Sequence, residues 1–304
     1  GLGDVYKRQL PYEEKTIIDH SASEISTSDA AVLLEAVRKE LENDTYKFYV
    51  GTSYRHLTIW DKGEVVDLTP PHDVLGQKIG QYLPKDDKLR EMMKKSYDIL
   101  SNHPINVERM KKGLNPANSL WFWGAGTRPM LTSFEEKTGH KGAMISAVDL
   151  LKGIAVGAGM KVIEVEGANG GLDTNYEGKA DAAVDVLLNG GCDFAYIHLE
   201  APDEMGHQGS YERKVKAIEN LDKRIIKRVV EKMEAAGEDF RMLVLPDHPT
   251  PVAIRTHVSD PVPYMLYDST DKKNNTWSYN EKDGEASGNY IAEGHTIINR
   301  LFEK

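Results

Sequence analysis

The second half of this sequence alternates short apolar runs with helical segments, and this alternation constrains the fold more than any other feature. The apolar runs are typical of buried strands and have the sequences KGAMISA, MKVIEVE, CDFAYIHLE and FRMLVLP. Segments with helical periodicity separate them, and a further short strand, PVPYMLYD, follows. Because neighbouring parallel strands need a long crossover, usually a helix, the pattern predicts an α/β fold with a mostly parallel sheet flanked by helices. Sites in such sheets form in the loops after the carboxyl ends of the strands.

The first part of the chain has a different pattern, which predicts a smaller α+β domain at residues 10–82. Apolar side chains between residues 29 and 41 recur at helical spacing and share one face: Ala30, Leu33, Leu34, Val37 and Leu41. The residues that follow alternate and are rich in β-branched and aromatic types, which is typical of antiparallel strands. Residues 83–304 then form the parallel-sheet core. Residues 1–9, GLGDVYKRQ, join this pattern abruptly and are predicted to be a non-native segment.

Composition and charge exclude several classes of function. The formal net charge of −10 comes without a block of lysine or arginine, so sequence-independent nucleic-acid binding is not expected. No apolar run has the length of a membrane-spanning helix, and no signal-peptide pattern is present. The single cysteine, Cys192, excludes an intrachain disulfide and is predicted to be a small buried apolar side chain. The sequence therefore predicts a cytoplasmic protein with a small-molecule partner, and it leaves the oligomeric state open.

Five side chains of types that bind metals follow two of the predicted strands. Asp203 and His207 come after CDFAYIHLE, and Asp247 and His248 come after FRMLVLP. His257 follows in the next loop. In a helical turn, the four-residue spacing of the first pair places both side chains on one side. Carboxylates and imidazoles without a thiolate are a donor set that suits catalytic Mn²⁺, Zn²⁺ or Mg²⁺ better than structural zinc.

Each of these motifs alone is also typical of ordinary surface structure. An aspartate followed four residues later by a histidine is often a helix N-cap with an exposed imidazole. Together, and at the ends of two core strands, the motifs are more specific. Two divalent ions about 3.5–4 Å apart stabilise the attacking and leaving oxygens of a phosphoryl group. The sequence therefore predicts a phosphoryl-transfer site that holds two divalent metal ions.

The same motifs carry a resemblance to a known family. Residues 203–207 have the pattern Asp-Glu-x-Gly-His, and residues 247–251 have the pattern Asp-His-x-Thr-Pro. His-x-x-Asp-Pro-Val-Pro follows at residues 257–263. With the stretches HPINVERMKKGLNPAN, KGAMISAVDLLKGIAVGAGM and EGANGGLDTNYEGKA, the chain resembles the 2,3-bisphosphoglycerate-independent phosphoglycerate mutases of the archaeal type. That family belongs to the alkaline phosphatase superfamily, so the resemblance implies an alkaline-phosphatase-like core with the α+β domain inserted as a substrate domain.

The resemblance also implies roles for the five candidate ligands. Asp203, His207 and His257 would hold one ion, and Asp247 and His248 would contribute to the other. The ions implied are Mn²⁺ first, with Mg²⁺ or Zn²⁺ as alternatives, and no 2,3-bisphosphoglycerate is required. The implied reaction interconverts 3-phosphoglycerate and 2-phosphoglycerate through a phosphoserine. No segment matches the family's serine nucleophile, so the chain is expected to be truncated at its N-terminus and to be inactive as a fragment.

Recognition of the substrate's anionic groups is the least determined part of this hypothesis. Arg55, which the pattern places in a strand, and Lys141 are the candidate anion contacts. The family's Asp-Arg-x-Ala-Gly-Arg pattern is replaced by Asp-His-Ser-Ala-Ser-Glu at residues 19–24, which lacks both arginines. Two alternatives therefore stay open. The first alternative to the mutase is another metal-dependent phosphatase, sulfatase-like hydrolase or phosphomutase of this superfamily. The second is an inactive fragment that binds a phosphorylated metabolite.

Overall fold

A computed structural model of the chain describes residues 2–3, 10–271 and 276–303. The predicted non-native segment, residues 1–9, lies outside the described residues except for the backbone of Leu2–Gly3. The chain divides into two compact units, Gly1–Arg128 and Pro129–Lys304. Among the helices of the described ranges, none combines the length and apolar character that crossing a membrane requires.

The first unit is built from two antiparallel strand pairs and three helices. Its strands are β1 (Leu2–Gly3), β2 (Thr16–Ile17), β3 (Tyr46–Tyr49) and β4 (Leu57–Trp60). Its helices are α1 (Thr27–Leu41), α2 (Asp87–Leu100) and α3 (Pro104–Lys111). Strand β1 pairs with β2 and β3 pairs with β4, both antiparallel. The unit is therefore an α+β structure, as the alternating sequence pattern predicts.

Helix α1 shows how local sequence produces this unit. Ser26 precedes it, and its hydroxyl accepts a hydrogen bond from the backbone N–H of Asp29, which satisfies one of the free donors at the helix start. The predicted apolar face is confirmed, since every member of it is buried: Ala30, Leu33, Leu34, Val37 and Leu41. That face packs on the inner residues of β3 and on α2, and forms the largest core of the unit.

The first compact unit extends to Arg128, whereas the α+β domain predicted from the sequence ends at residue 82. Helix α2 packs against α1, and its buried residues Leu89, Met92 and Leu100 belong to the same core. Farther along the chain, Asn106 of α3 binds the carbonyls of Leu100 and Ala117 at 2.9 Å. The first core therefore extends beyond residue 83, because the amphipathic helix α2 completes this core.

The second unit contains the parallel sheet. Its strands are β5 (Gly142–Ile145), β6 (Lys161–Val162), β7 (Phe194–Ile197), β8 (Arg241–Val244) and β9 (Met265–Asp268). The first three form a parallel sheet with the order β6-β5-β7. Strand β8 pairs antiparallel with β9. The α/β class is therefore confirmed, with a small parallel sheet and a separate antiparallel pair in place of one larger sheet.

Helices flank this sheet. They are α4 (Phe134–Thr138), α5 (Asp149–Gly157), α6 (Tyr176–Leu188), α7 (Ala201–His207), α8 (Tyr211–Asn220), α9 (Lys227–Ala236), α10 (Glu281–Ala286) and α11 (Asn299–Phe302). Helix α8 continues into α9 through a π-helical stretch, Leu221–Ile226. Helix α6 packs against β5 and β7 of the sheet and against α9. Cys192 is buried beside Ala143 and Val186, as expected for a small apolar side chain.

Ion pairs connect α6 to the π-helical stretch and to α9, and Lys232 adds a contact to Asp181 at 2.8 Å. Arg228 binds both carboxylate oxygens of Asp181 at 2.6 and 2.8 Å, and Arg224 binds Glu177 in the same two-pronged way at 2.6 and 2.7 Å. The hydrogen bonds from Arg228 lower the pKa of Asp181 to about 2. Paired planar groups of this kind fix the orientation of one helix against another.

We expect the contribution of the Asp181 pair to stability to disappear at acid pH. The folded-state pKa lies below the unfolded value, so the contribution is present above about pH 4 and is lost as the pH falls towards about 2. Because both side chains are partly exposed, Asp181→Asn should cost less than about 1 kcal/mol at neutral pH. Urea unfolding of both proteins at several pH values measures this. A difference in unfolding free energy that stays constant down to about pH 2 would contradict it.

Candidate metal centre

The carboxyl end of strand β7 leads directly into the helix that carries the first pair of candidate ligands. Helix α7 begins at Ala201, has a proline in its first turn and ends at His207. The four-residue spacing brings Asp203 and His207 to the same side, with the Nε2 atom of His207 3.3 Å from the Oδ2 atom of Asp203. Both side chains are about one third exposed, so they border solvent at the edge of the sheet.

His257 joins this pair from the loop that follows β8. Its Nε2 atom lies 3.0 Å from Nε2 of His207 and 3.3 Å from Oδ1 of Asp203. One donor atom from each of the three residues lies within 4.8 Å of the others. A divalent ion binds imidazole nitrogen and carboxylate oxygen at about 2.0–2.2 Å, so donors to a single ion lie within about 4.4 Å of one another. The three residues therefore fit one ion with little rearrangement.

The backbone fixes which nitrogen of His207 is available. Its Nδ1 atom lies 3.0 Å from the carbonyl oxygen of Arg255. A carbonyl only accepts hydrogen bonds, so this contact takes a donor from Nδ1 and turns Nε2 towards Asp203 and His257. Arg255 has a positive φ of 60°, a strained conformation for a residue with a side chain. The strained loop thus directs a carbonyl at the imidazole and orients it as metal-site histidines are oriented.

The second predicted pair adjoins the first. Asp247 and His248 follow β8, and Nε2 of His248 lies 3.2 Å from Oδ2 of Asp247. The rings of His248 and His257 are tilted by 31° to each other, with centroids 3.6 Å apart. The Nδ1 atom of His248 lies 3.9 Å from Oδ1 of Asp203. The structure therefore brings all five residues to one edge of the second unit, with Asp203 at their centre.

Three residues that the sequence analysis did not single out hold this arrangement together. The buried hydroxyl of Thr250 donates a hydrogen bond to Oδ1 of Asp203. Lys214 of α8 donates from Nζ to the carbonyl of Thr250 at 2.6 Å. Gly206 gives α7 its close approach, since a Cβ there would lie 2.4 Å from the same carbonyl. Thr250 was detectable, because it stands in the Asp-His-x-Thr-Pro motif. Gly206 likewise stands in the Asp-Glu-x-Gly-His motif. The role of Lys214 depends on a contact between separate segments.

A second polar group lies at the same end of the parallel strands. His198 directly follows β7, and its Nδ1 atom lies 3.3 Å from the hydroxyl of Ser146, which follows β5. The carbonyl of His198 accepts a hydrogen bond from Nζ of Lys179, a fully buried residue of α6, at 3.2 Å. Burial lowers the pKa of both His198 and Lys179, whereas the negative charge of Asp247 acts to raise that of His198. These groups fix the ends of the strands from which the candidate ligands project.

Of the two candidate anion contacts, Lys141 lies in the second unit and Arg55 in the first. Lys141 lies just before β5, where its backbone N–H donates to Asp193 at 2.6 Å. This is the amino end of the parallel strands, so the structure places Lys141 at the opposite end of β5 from the ligand cluster. Arg55 lies in the turn between β3 and β4 rather than in a strand, because Ser53 takes a positive φ that ends the extended pattern. Its guanidinium lies over the ring of Tyr54 in the first unit.

Comparison with known proteins connects this geometry to a family. Residues 47–291 match the family described as the Metalloenzyme superfamily. The chain is 50% identical over 265 residues to a 2,3-bisphosphoglycerate-independent phosphoglycerate mutase of Methanosarcina barkeri, covering 86% of this chain and 66% of that relative. A protein of the same name from Methanothrix thermoacetophila is 41% identical over 287 residues, covering 93% of this chain and 72% of that relative. The chain thus spans 66% of the length of the Methanosarcina relatives it matches.

Solved structures agree with the fold. A Pyrococcus horikoshii protein superposes with a TM-score of 0.72 at 25% identity, over 94% of this chain and 71% of that one. The cofactor-independent phosphoglycerate mutase of Thermoplasma acidophilum superposes with a TM-score of 0.60 at 24% identity, over 94% of this chain and 72% of that one, and supports the fold alone. The chain therefore belongs to the metalloenzyme superfamily and, within it, to the archaeal-type 2,3-bisphosphoglycerate-independent phosphoglycerate mutases.

Proposed function

We propose that this chain carries metal-binding machinery for the cofactor-independent interconversion of 3-phosphoglycerate and 2-phosphoglycerate. The observation that supports it most directly is the group of Asp203, His207 and His257, whose donor atoms lie within 4.8 Å of one another. Relatives that are 50% and 41% identical to the chain bear the name of this activity. We place the reaction in the cytoplasm, with phosphoglycerate as the small-molecule partner.

The five clustered side chains divide between two ions in this proposal. Asp203, His207 and His257 hold one divalent ion, and Asp247 and His248 contribute to a second. The donor set suits Mn²⁺ and also accommodates Mg²⁺ or Zn²⁺. When bound, such ions neutralise the charge of a phosphoryl group and lower the pKa of a hydroxyl.

Neighbouring residues of the chain orient two of these candidate ligands. The Arg255 carbonyl accepts from Nδ1 of His207 and turns Nε2 towards Asp203, and Thr250 holds the carboxylate of Asp203 in place. In the proposed reaction the phosphoryl group passes from 3-phosphoglycerate to a serine, and then from that serine to the 2-hydroxyl of the glycerate. We assign this nucleophile to no serine of the present chain. Arg55 stays a proposed contact for the substrate's anionic groups, whereas the position of Lys141 at the far end of β5 disfavours that residue.

We further propose that the second unit corresponds to an alkaline-phosphatase-like core and that residues 10–82 belong to a substrate domain. The parallel order β6-β5-β7, with the ligands after its carboxyl end, supports the first assignment. The antiparallel strands and helix α1 support the second. The proposed substrate domain then also includes helices α2 and α3, because these helices complete its core.

The test is a coupled assay for conversion of 3-phosphoglycerate to 2-phosphoglycerate, without 2,3-bisphosphoglycerate. It is run on this chain and on the complete product of its gene. We expect the complete protein to be active with added Mn²⁺, inactive after chelation and active again when Mn²⁺ is restored. The Asp203→Asn form of the complete protein should be inactive and serves as the control. Release of free phosphate without isomerisation would contradict the mutase assignment and favour a phosphatase of the same superfamily.

A further inference from the structure

We propose that residues 299–303, the C-terminal clamp, hold strands β7 and β8 together at their amino ends, with Phe302 as the positioning residue. These two strands lead into the two groups of candidate ligands, since helix α7 follows β7 and Asp247 follows β8. In the part of the chain that the structure describes, however, the two strands lie in separate sheets, because β7 pairs with β5 and β8 pairs with β9. Their spacing therefore depends on contacts other than a shared backbone ladder.

One side of the C-terminal clamp is aromatic and contacts the parallel sheet. The ring of Phe302 stacks on the ring of His140, with centroids 4.2 Å apart and planes 16° from parallel. It also meets Phe194, the first residue of β7, edge to face at 5.8 Å. Phe134 completes the group, stacked on Phe194 with centroids 4.8 Å apart. Aromatic pairs in these arrangements are favourable beyond the area that they bury, so Phe302 has a defined position at the start of β7.

The imidazole on which Phe302 stacks is itself held in place. The Nδ1 atom of His140 lies 2.8 Å from Oδ2 of Asp193, the residue before β7. The backbone N–H of Lys141, which precedes β5, donates to Oδ1 of the same carboxylate at 2.6 Å. Asp193 thus joins the beginnings of β5 and β7. Phe302 therefore rests on a surface that the paired strands fix.

The other side of the C-terminal clamp contacts β8. Arg241 is the first residue of this strand, and its Nη1 atom donates a hydrogen bond to the carbonyl of Glu303. Its Nε atom donates to Oδ2 of Asp268, at the end of β9, at 2.6 Å. Helix α11 also packs against β8. Because consecutive Cα atoms are only about 3.8 Å apart, the neighbours Phe302 and Glu303 hold the beginnings of β7 and β8 close to each other.

The spacing at the amino ends carries over to the carboxyl ends because both strands are short. Each has four residues, so each spans only about 10–13 Å. The two strands also contribute Ile197 and Met242 to the apolar cluster beneath α6 and α9. Apolar contacts are non-directional, whereas the Arg241 hydrogen bond and the stacked rings fix direction. The effect on metal binding rests on the proposed function, but the clamp itself does not.

The first test measures amide hydrogen exchange in the metal-free chain. We compare the parent, Phe302→Ala, Phe302→Tyr and a form that ends at Ile298 and so lacks the C-terminal clamp. In Phe302→Ala and in the shortened form, the amides of β8 and β9 should exchange at least about 2-fold faster, which is the smallest effect of losing one aromatic pair. The amides of α6 should change less. Phe302→Tyr keeps the ring and should behave like the parent.

Val186→Ala is the matched control for a general loss of stability. Val186 is 4% exposed and packs beside Ala143 and Cys192, in a different cluster from Phe302. This substitution should speed exchange in α6 at least as much as in β8. If Phe302→Ala gave the same pattern as Val186→Ala, Phe302 would only stabilise the unit as a whole, and the proposal would be overturned.

The second test measures Mn²⁺ affinity by titration calorimetry. Substitutions that touch neither of two coupled sites change their coupling by an amount equal to about 2–30-fold in affinity. We expect a loss in this range for Phe302→Ala and for the form that ends at Ile298, with parent affinity in Phe302→Tyr and Val186→Ala. Faster exchange in β8 with unchanged Mn²⁺ affinity would overturn the link between the clamp and the ligands. A parent chain that binds no Mn²⁺ contradicts the proposed function, and the exchange pattern then decides whether the clamp holds β8.

Discussion

Asp203→Asn is expected to abolish high-affinity Mn²⁺ binding, with a loss of more than about 100-fold, beyond the range typical of outer partners. The carboxylate of Asp203 lies 3.3 Å from Nε2 of both His207 and His257, so it is the negative charge shared by the three-residue group. The amide keeps the size of the side chain but removes that charge. Titration calorimetry with Mn²⁺, on the parent and the variant, measures the loss.

Asp247→Asn is the matched control for this prediction, because it makes the same chemical change at the same edge of the unit. Asp247 belongs with His248 to the group that offers fewer donors in this chain, so its removal should weaken the tightest Mn²⁺ binding only a few-fold. Both variants should keep the thermal stability of the parent to within about 1 kcal/mol, since both side chains are partly exposed. A larger loss of affinity in Asp247→Asn than in Asp203→Asn would reverse the assignment of the two groups.

Much of this site was accessible from the sequence because its key spacings are local. Asp203 and His207 are one helical turn apart on a segment that follows an apolar run, so their proximity depends only on the helix forming. The alternation of strands and helices predicts that this pair meets the loop after β8 at the edge of one parallel sheet. The two meet in the structure, although β8 pairs antiparallel with β9, apart from the β6-β5-β7 sheet. The helical spacing of the apolar residues in α1 likewise predicted its buried face.

The parts that escaped prediction depend on contacts between distant segments or on exact turns. The Arg255 carbonyl orients His207 because Arg255 adopts a left-handed backbone conformation. The pattern of residue types in the sequence does not predict this conformation. Arg55 was placed in a strand because its neighbours have strand-forming types, yet it lies in a turn. Lys141 precedes an apolar run, and a residue that precedes a strand lies at the amino end of the sheet, away from the site. Strand topology alone therefore disfavours Lys141 as an anion contact.

Gly206→Ala is expected to destabilise the second unit and to weaken Mn²⁺ binding. The added Cβ would lie 2.4 Å from the carbonyl oxygen of Thr250 and 3.0 Å from its Cγ2 atom. Because the first of these atoms belongs to the backbone, no side-chain rotation relieves the contact, and either α7 or the loop of Thr250 must move. Overpacking of this kind costs about 1–3 kcal/mol, which exceeds the gain of about 1 kcal/mol that alanine brings to a helix. Urea unfolding and Mn²⁺ titration measure the two effects.

Gly153→Ala separates the steric effect at Gly206 from the effect of helix propensity. Gly153 lies inside helix α5, is exposed, and a Cβ there would meet nothing within 4 Å. The same substitution should therefore stabilise the chain by up to about 1 kcal/mol and leave Mn²⁺ affinity unchanged. Opposite signs for the two variants would show that the close approach of α7 to Thr250, rather than a general property of glycine in helices, requires Gly206. If Gly206→Ala were as stable as Gly153→Ala and bound Mn²⁺ like the parent, the loop that carries Asp247, His248 and Thr250 would not need α7 to hold it in place.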